Sequence, residues 1–205
     1  MSIRLLIAVP TTDYVHADFV KSLARLQCEL GRRRVDYNVE IQSGTLVYFA
    51  RNRLANKAIN ENYTHVLWLD SDMVFNEQIV DDLMEVGKDM VCGAFVSRRP
   101  PYGPCIYTSI EKNKIQQVKD FGIRPFRVDG CGFAAVLTTT ELLQAVNQKY
   151  GTCFQPTDYY GEDLAFCRRV NQLGREIWCE PTVRPGHIAH VPVYAGQENM
   201  GIKPE

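Results

Sequence analysis

A chain of 205 residues buries about 70% of its unfolded surface, which is sufficient for one sizeable α/β domain. Its formal net charge is −1, so no overall field favours nucleic acid or a membrane surface as a partner. The apolar run from Leu5 to Val9 is too short for a signal peptide or a membrane span and ends at Pro10. We therefore predict no nucleic-acid partner and no membrane span.

The cysteines indicate a reducing compartment. There are seven of them, an odd number, and no two form a C-x-x-C pair. Most stand in apolar surroundings, which is typical of buried free thiols and not of a zinc site or a disulfide framework. We expect a cytoplasmic protein.

The chain opens with a strand, a helix and a second strand. Residues 3–9 are apolar and end at Pro10, which predicts the first strand. Apolar residues from Val15 to Leu30 then recur on one helical stripe that ends near Gly31. Alternation from Val35 to Ile41 predicts a second strand with one half-buried face. This order is the start of a doubly wound sheet.

Four further elements are predicted up to residue 104. A helical face at residues 54–59 leads into a strand over residues 66–69, and Asn76 is expected to cap the helix that follows. Met90 to Val96 is predicted to be a strand. Residues 97–104 contain three prolines and a glycine, which exclude regular structure. This segment is either a lid, with Arg98 and Arg99 directed at phosphate, or an ordinary surface connection.

The second half of the chain is also predicted to alternate between strands and helices. Gly130 and Gly132 open a buried strand, and residues 138–141 form a capping box for a helix. Another helix is predicted from Gly161 to Gly174, followed by a short strand at residues 177–179. We predict one domain over residues 1–195 and a polar tail over residues 196–205.

Two acids follow the most hydrophobic strand. Asp70 and Asp72 are one residue apart at its carboxyl end, where open α/β sheets bind their ligands. Two carboxylates this close repel each other, so a cation is their natural partner. Capping of the next turn is the alternative explanation, and it leaves the position on a buried strand unexplained.

The series of motifs resembles the GT-A glycosyltransferases, in particular the family 2-like, D-x-D type. The resemblance rests on Val9-Pro10, Ala50-Arg51-Asn52, the D-x-D at 70–72, the D-G-x-G-F at 129–133, and Gly161-Glu162-Asp163 with a late His187. It implies a single Rossmann-like domain with a mostly parallel central sheet flanked by helices and a small antiparallel element on the acceptor side. It also implies transfer of a sugar from a nucleoside-diphosphate sugar, most often UDP-linked, to a glycan or other hydroxyl acceptor.

The resemblance further implies a metal site. Asp72 would bind Mn²⁺, or Mg²⁺ in its place, and Asp70 would contact the ribose or bind the metal through water. His187 is the expected third anchor, with His190 as the alternative. Carboxylate and imidazole ligands suit these ions, and a divalent cation neutralises the charge that develops on the leaving diphosphate.

The nucleotide is expected at the ends of the first two strands. Pro10, Thr11 and Thr12 are predicted to line the nucleoside pocket, with Ser71 beside them and Ser43 or Gln42 facing the base. Arg51 is predicted to reach the diphosphate. Lys57 has the same possibility, although a solvated helix surface explains it better.

Glu162 and Asp163 open a helix, where acids are stabilised by the helix dipole without any catalytic role. The resemblance assigns Asp163 as the general base that removes the acceptor proton, and Glu162 as an acceptor-positioning residue. Inversion and retention are both compatible with this pattern.

Two other classes remain. A metal-dependent nucleotidyltransferase also places acids at strand ends, but it normally has a glycine-rich basic loop after its first strand, which residues 8–12 are not. A non-catalytic nucleotide- or glycan-binding module is the other, and the presence of both acid pairs argues against it.

Overall fold

The computed structural model describes residues 3–189. Its first half contains β1 (Arg4–Pro10), α1 (Ala17–Arg32), β2 (Asp36–Gln42), α2 (Val47–Asn60), β3 (His65–Leu69), β4 (Met73–Val74), α3 (Ile79–Glu85) and β5 (Met90–Gly93). Its second half contains β6 (Ile106–Glu111), β7 (Lys114–Gln117), β8 (Phe126–Val128), β9 (Gly130–Cys131), β10 (Ala135–Thr139), α4 (Thr140–Tyr150), α5 (Glu162–Gln172), β11 (Ile177–Glu180) and β12 (Gly186–His187).

The central sheet has seven strands in the order β2-β1-β3-β10-β5-β11-β8. Strands β2, β1, β3, β5 and β11 run in one direction, and only β10 and β8 oppose them. The predicted α/β architecture with a mostly parallel sheet is therefore confirmed. Both β1 and β3 are buried along nearly their whole length, which explains their continuous apolar sequences.

Aromatic rings fill the core beneath the carboxyl end of this sheet. Trp68 and Phe133 each pack edge-to-face on Phe154 with ring centroids 5.0 Å apart, and Phe154 stacks on Phe166 at 4.7 Å. The buried indole Nε1 of Trp68 donates a hydrogen bond to Thr138 Oγ1 at 3.0 Å. The ring cluster joins β3 to α5, so the two chain segments that carry acids rest on one rigid base.

Two small sheets complete the fold. Strands β7, β6 and β9 form an antiparallel sheet, so the predicted small antiparallel element is present. Strand β12 pairs with β4 and places His187 opposite Met73. The backbone N–H of Ile188 also donates to the carbonyl of Asp72 at 2.9 Å. A late chain segment is thereby held next to the residues that follow β3.

Two predicted boundaries were wrong. Helix α3 begins at Ile79 with Gln78 as its N-cap, and the side chain of Asn76 caps nothing there. Strand β5 ends at Gly93 and does not continue to Val96. The chain turns there to pair with the segment around Val183, whose carbonyl accepts from Ala94 N–H at 2.8 Å. A Cβ at Gly93 would lie 2.9 Å from Val183 Cγ1, so this close approach requires glycine.

The seven cysteines are all free thiols, and five of them are buried as predicted. Cys105 is half-buried and Cys28 is exposed on α1, so the prediction of burial was wrong for Cys28. Within residues 3–189 no helix has the length and apolar character needed to cross a bilayer. His190 and the predicted polar tail lie outside the described residues, as does the end of the predicted domain.

Candidate functional site

A pocket of about 290 Å³ opens where β1 and β3 end. Parallel strands end at a common edge, so residues distant in sequence meet there. Its lining is Pro10, Thr11, Thr12, Thr45, Val47, Asp70, Ser71, Asp72, Arg98 and His187. Most of the predicted nucleotide and metal residues therefore lie together. Ser43 is not part of the lining. Thr45 and Val47 line the pocket and were not predicted from the sequence.

Hydrogen bonds shape the pocket floor. The backbone N–H of Thr11 donates to the carbonyl of Gln42 at 2.9 Å, and that of Gly44 donates to the carbonyl of Thr12 at 2.9 Å. The hydroxyls of Thr11 and Ser71 are 3.0 Å apart. These contacts tie the loop after β1 to the loop after β2 and to the D-x-D segment. Thr45 and Val47 follow that β2 loop, and their position directly after Ser43 and Gly44 was the available sequence signal.

Asp72 and His187 form the centre of the pocket. His187 Nε2 lies 3.4 Å from Asp72 Oδ2, and its Nδ1 is 2.9 Å from the carbonyl oxygen of Val96. A carbonyl only accepts hydrogen bonds, so Nδ1 carries the proton and Nε2 faces the carboxylate. Arg98 also donates to Asp72 Oδ2. Asp72 thus faces two basic groups.

Both groups of the Asp72–His187 pair have shifted pKa values. The hydrogen bond that the His187 imidazole donates to Asp72 raises the pKa of His187, and burial opposes this shift. Burial acts to raise the pKa of Asp72, but the hydrogen bond and charge of His187 together with the charge of Arg98 outweigh burial and lower it. The carboxylate is therefore held ionised, as a metal ligand must be, whereas His187 would have to lose its second proton when a metal binds.

The chemistry of this pair fits a divalent cation. A carboxylate oxygen and an imidazole nitrogen whose second nitrogen binds a carbonyl are typical ligands of Mn²⁺ and related ions. Among residues 3–189, no group of three His, Cys, Asp or Glu side chains is arranged to hold a metal. Asp72 and His187 are thus two candidate ligands at this place, and Asp70 lines the same pocket but is hydrogen-bonded to Arg51.

Asp70 is engaged by Arg51 on helix α2. Arg51 Nη2 donates to Asp70 Oδ1 at 2.7 Å, and Arg51 Nη1 donates to Glu162 Oε1 at 2.7 Å. The Arg51 side chain is only 3% exposed, so its charge is balanced by these two half-buried carboxylates and not by solvent. Its predicted contact with a diphosphate stays a prediction. Lys57 instead pairs with Glu61 and Glu40 on the surface, in agreement with the solvated interpretation.

Glu162 and Asp163 begin helix α5. Gly161 is the N-cap, and Asp163 Oδ1 accepts a hydrogen bond from the Leu164 N–H at 2.7 Å. Burial raises the pKa of Asp163, the charge of Glu162 raises it further, and Arg51 partly opposes both. Asp163 is consequently an acid whose environment favours the protonated form, a property found in groups that accept and release protons.

The segment 97–104 forms a closed loop above the pocket. The N–H of Ser97 donates to the carbonyl of Gly103 at 2.9 Å, and Gln117 Nε2 donates to the carbonyl of Pro104 at 2.7 Å. Arg98, at the start of the loop, reaches Asp72. Both ends of the loop are therefore anchored, and its function as a lid stays a prediction.

Comparisons with known proteins agree with this architecture. A family model described as Anp1, a glycosyltransferase-related family, matches residues 15–107. No curated protein matches the chain. Among solved structures, A197 from STIV superposes with a TM-score of 0.65 at 19% identity, covering 92% of this chain and 87% of that one. GalNAc-T7, solved with UDP, GalNAc and Mn²⁺, superposes with a TM-score of 0.60 at 11% identity.

These similarities establish a glycosyltransferase-like GT-A fold, as the sequence motifs predicted. The match to GalNAc-T7 covers 99% of this chain but only 47% of that protein. The Anp1 match covers less than half of the chain and includes both acids of the D-x-D segment.

Proposed function

We propose that this protein is a glycosyltransferase that moves a sugar from a nucleoside-diphosphate sugar, UDP-linked, to an acceptor hydroxyl. The observation that supports the proposal is the link between the pocket at residues 10–12 and 70–72 and the acids that open α5. Arg51, which binds Asp70 and Glu162 at 2.7 Å each, connects the two parts. The UDP and Mn²⁺ of the GalNAc-T7 structure support this choice of donor and metal.

The donor would lie in the pocket with its nucleoside against Pro10, Thr11 and Thr12. Asp72 and His187 would hold Mn²⁺, or Mg²⁺ in its place, and Asp70 would contact the ribose or bind the metal through water. A bound divalent cation supplies charge neutralisation for the leaving diphosphate. Arg98 adds a second positive charge on the same side of the pocket and offers hydrogen bonds to phosphate.

Asp163 would accept the proton of the acceptor hydroxyl, whose oxygen then forms the new glycosidic bond as the bond to the nucleoside diphosphate breaks. The carboxylate suits a general base because its raised pKa brings its basicity closer to neutral pH. Glu162 would orient the acceptor or the helix start. The acceptor is expected to be a glycan or another hydroxyl compound.

The test is an assay with a panel of UDP- and GDP-sugars, with and without Mn²⁺, that follows nucleotide release and transfer to hydroxyl acceptors. We expect Mn²⁺-dependent UDP release that increases with acceptor. Nucleotide binding with neither transfer nor hydrolysis would instead identify a binding module, and release of pyrophosphate from a nucleoside triphosphate would identify a nucleotidyltransferase.

A further inference from the structure

Arg51 occupies an unusual position in this molecule. It lies on the inward face of α2, it is 3% exposed, and it joins two acids that are distant in the sequence. Asp70 directly follows the strand β3, at the edge of the pocket, and Glu162 starts the helix that carries Asp163. One guanidinium therefore contacts both halves of the site.

Stability alone is a weak reason for such an arrangement. Burying a charged group costs several kcal/mol, and replacing buried ion pairs by apolar residues is often neutral or stabilising. Arg51 Nε is also buried without a hydrogen-bond partner, which adds a further desolvation cost. The ring of Phe133, 5.3 Å from the guanidinium carbon, compensates only in part.

The geometry provides a better reason. The guanidinium is a planar fork with fixed angles between its donors, so two bonds of 2.7 Å fix the direction of both carboxylates. A lysine keeps the charge but presents one compact ammonium group. Arg51 also lies near Asp163, and its charge partly offsets the effects of burial and Glu162 on that residue.

We propose that Arg51 is a positioning residue: it fixes the start of α5, and hence Asp163, relative to the donor-binding end of β3. This inference rests on the proposed function, because it concerns how the donor and acceptor halves are aligned for transfer. Misplacement of a catalytic group by about 1 Å costs on the order of 10²-fold in rate, so a two-point contact at this place affects turnover strongly.

The experiment compares Arg51→Lys with Glu162→Gln, which removes the negative charge from the same contact while leaving the buried arginine in place. Arg53→Lys is the matched control, since Arg53 lies on the same helix and is exposed. In both test variants we expect kcat for transfer to fall about tenfold or more, while the Kd for UDP with Mn²⁺ changes less than about threefold. Donor hydrolysis should rise relative to transfer.

A merely structural residue would give a different result. Lower stability reduces the active fraction, so hydrolysis and transfer would fall together and their ratio would stay constant. The double variant should lose no more activity than the more damaging single variant, since both changes weaken the contact between Arg51 and Glu162. If Arg51→Lys does not fold, Glu162→Gln decides by the same ratio.

The two hypotheses fail in different ways. A wild-type chain that transfers no sugar from any donor overturns the proposed function and this inference with it. A wild-type chain that transfers, together with variants whose transfer-to-hydrolysis ratio equals that of wild type, overturns the positioning inference alone. Additive losses in the double variant would also contradict it.

Discussion

Asp163 combines burial with a neighbouring carboxylate, and both disfavour its charged form. Its pKa is raised above the usual value of 3.8, so it takes up a proton at a higher pH than an exposed aspartate does. A general base must be deprotonated. We expect transfer to decline as the pH falls through this raised pKa, so that the acid side of the pH–rate profile lies above pH 3.8. A profile that is flat down to that pH would contradict the assignment.

Replacing Asp163 with Asn should separate activity from stability. Asn retains the oxygen that accepts from Leu164 N–H but is not a base, so transfer should fall by about 10² or more at unchanged UDP affinity. A raised folded-state pKa means that folding is favoured below the unfolded pKa and that this contribution is lost as the pH rises through the folded pKa. Asp163→Asn should therefore have a higher Tm than wild type at neutral pH.

Asp158→Asn, on the exposed loop before α5, is the matched control and should change neither property. Wild-type turnover in Asp163→Asn would exclude Asp163 as the base.

Individual residues differ in how far the sequence predicts them. Asp70 and Asp72 could be recognised because acids rarely follow a fully apolar strand without a function. Arg51 could be recognised from the sequence as a candidate site residue, but its contact with Glu162 could not. The two residues are 111 positions apart, and their contact depends on how α2 and α5 pack. In the structure Arg51 joins two carboxylates, and its contact with a diphosphate stays a prediction.

At the level of elements, the loop 97–104 is the segment with the clearest expected response to ligand. Arg98 contacts Asp72 in the structure, and both line the pocket at the ends of β1 and β3. Mn²⁺ bound at Asp72 would compete with this contact and leave Arg98 to bind the diphosphate. We expect trypsin to cleave the Arg98–Arg99 bond more slowly when UDP and Mn²⁺ are both present, because cleavage requires the loop to open.

The Lys112–Asn113 bond, in the turn between β6 and β7, provides an internal control that should be cut at the same rate with and without ligand. Asp72→Ala keeps the trypsin site and removes the partner of Arg98, so the protection given by UDP and Mn²⁺ should then weaken. Equal cleavage in all conditions would mean that the loop is an ordinary surface connection.

Elements were predictable where hydrophobic periodicity was long, as in α1, whose buried residues follow the predicted stripe. Short elements were not. The pairing of β12 with β4 involves two residues on each strand and leaves no periodic signal, although it places His187 beside Asp72. The early end of β5 depends on contact with Val183, which is distant in the sequence.

At the scale of the whole molecule, the fold depends on strand order more than on residue identity. The chain superposes on A197 with a TM-score of 0.65 although the two sequences are only 19% identical. Different apolar sequences can therefore form the same sheet. The site keeps its position because parallel strands bring their carboxyl ends to one edge. Fold class was accordingly predictable from the order of elements, whereas the insertion of β10 between β3 and β5 was not, because strand order is a tertiary property.

A ligand that binds only the folded chain stabilises the whole domain, which gives a test that needs no acceptor. At 100 times its Kd, UDP would add about 2.7 kcal/mol. For a domain of this size that corresponds to a rise of about 5–10 °C in Tm. We expect this rise with UDP and Mn²⁺ together and a much smaller one with either alone, because Asp72 and His187 provide only two of the ligands that the metal needs.

In Asp72→Ala the Mn²⁺-dependent part of the rise should disappear, while Asp158→Ala, on an exposed loop, should respond like wild type. GDP with Mn²⁺ is the matched nucleotide control and tests the choice of base. An Asp72→Ala protein that is stabilised by UDP and Mn²⁺ as strongly as wild type would exclude Asp72 as a metal ligand, whatever the activity of the enzyme.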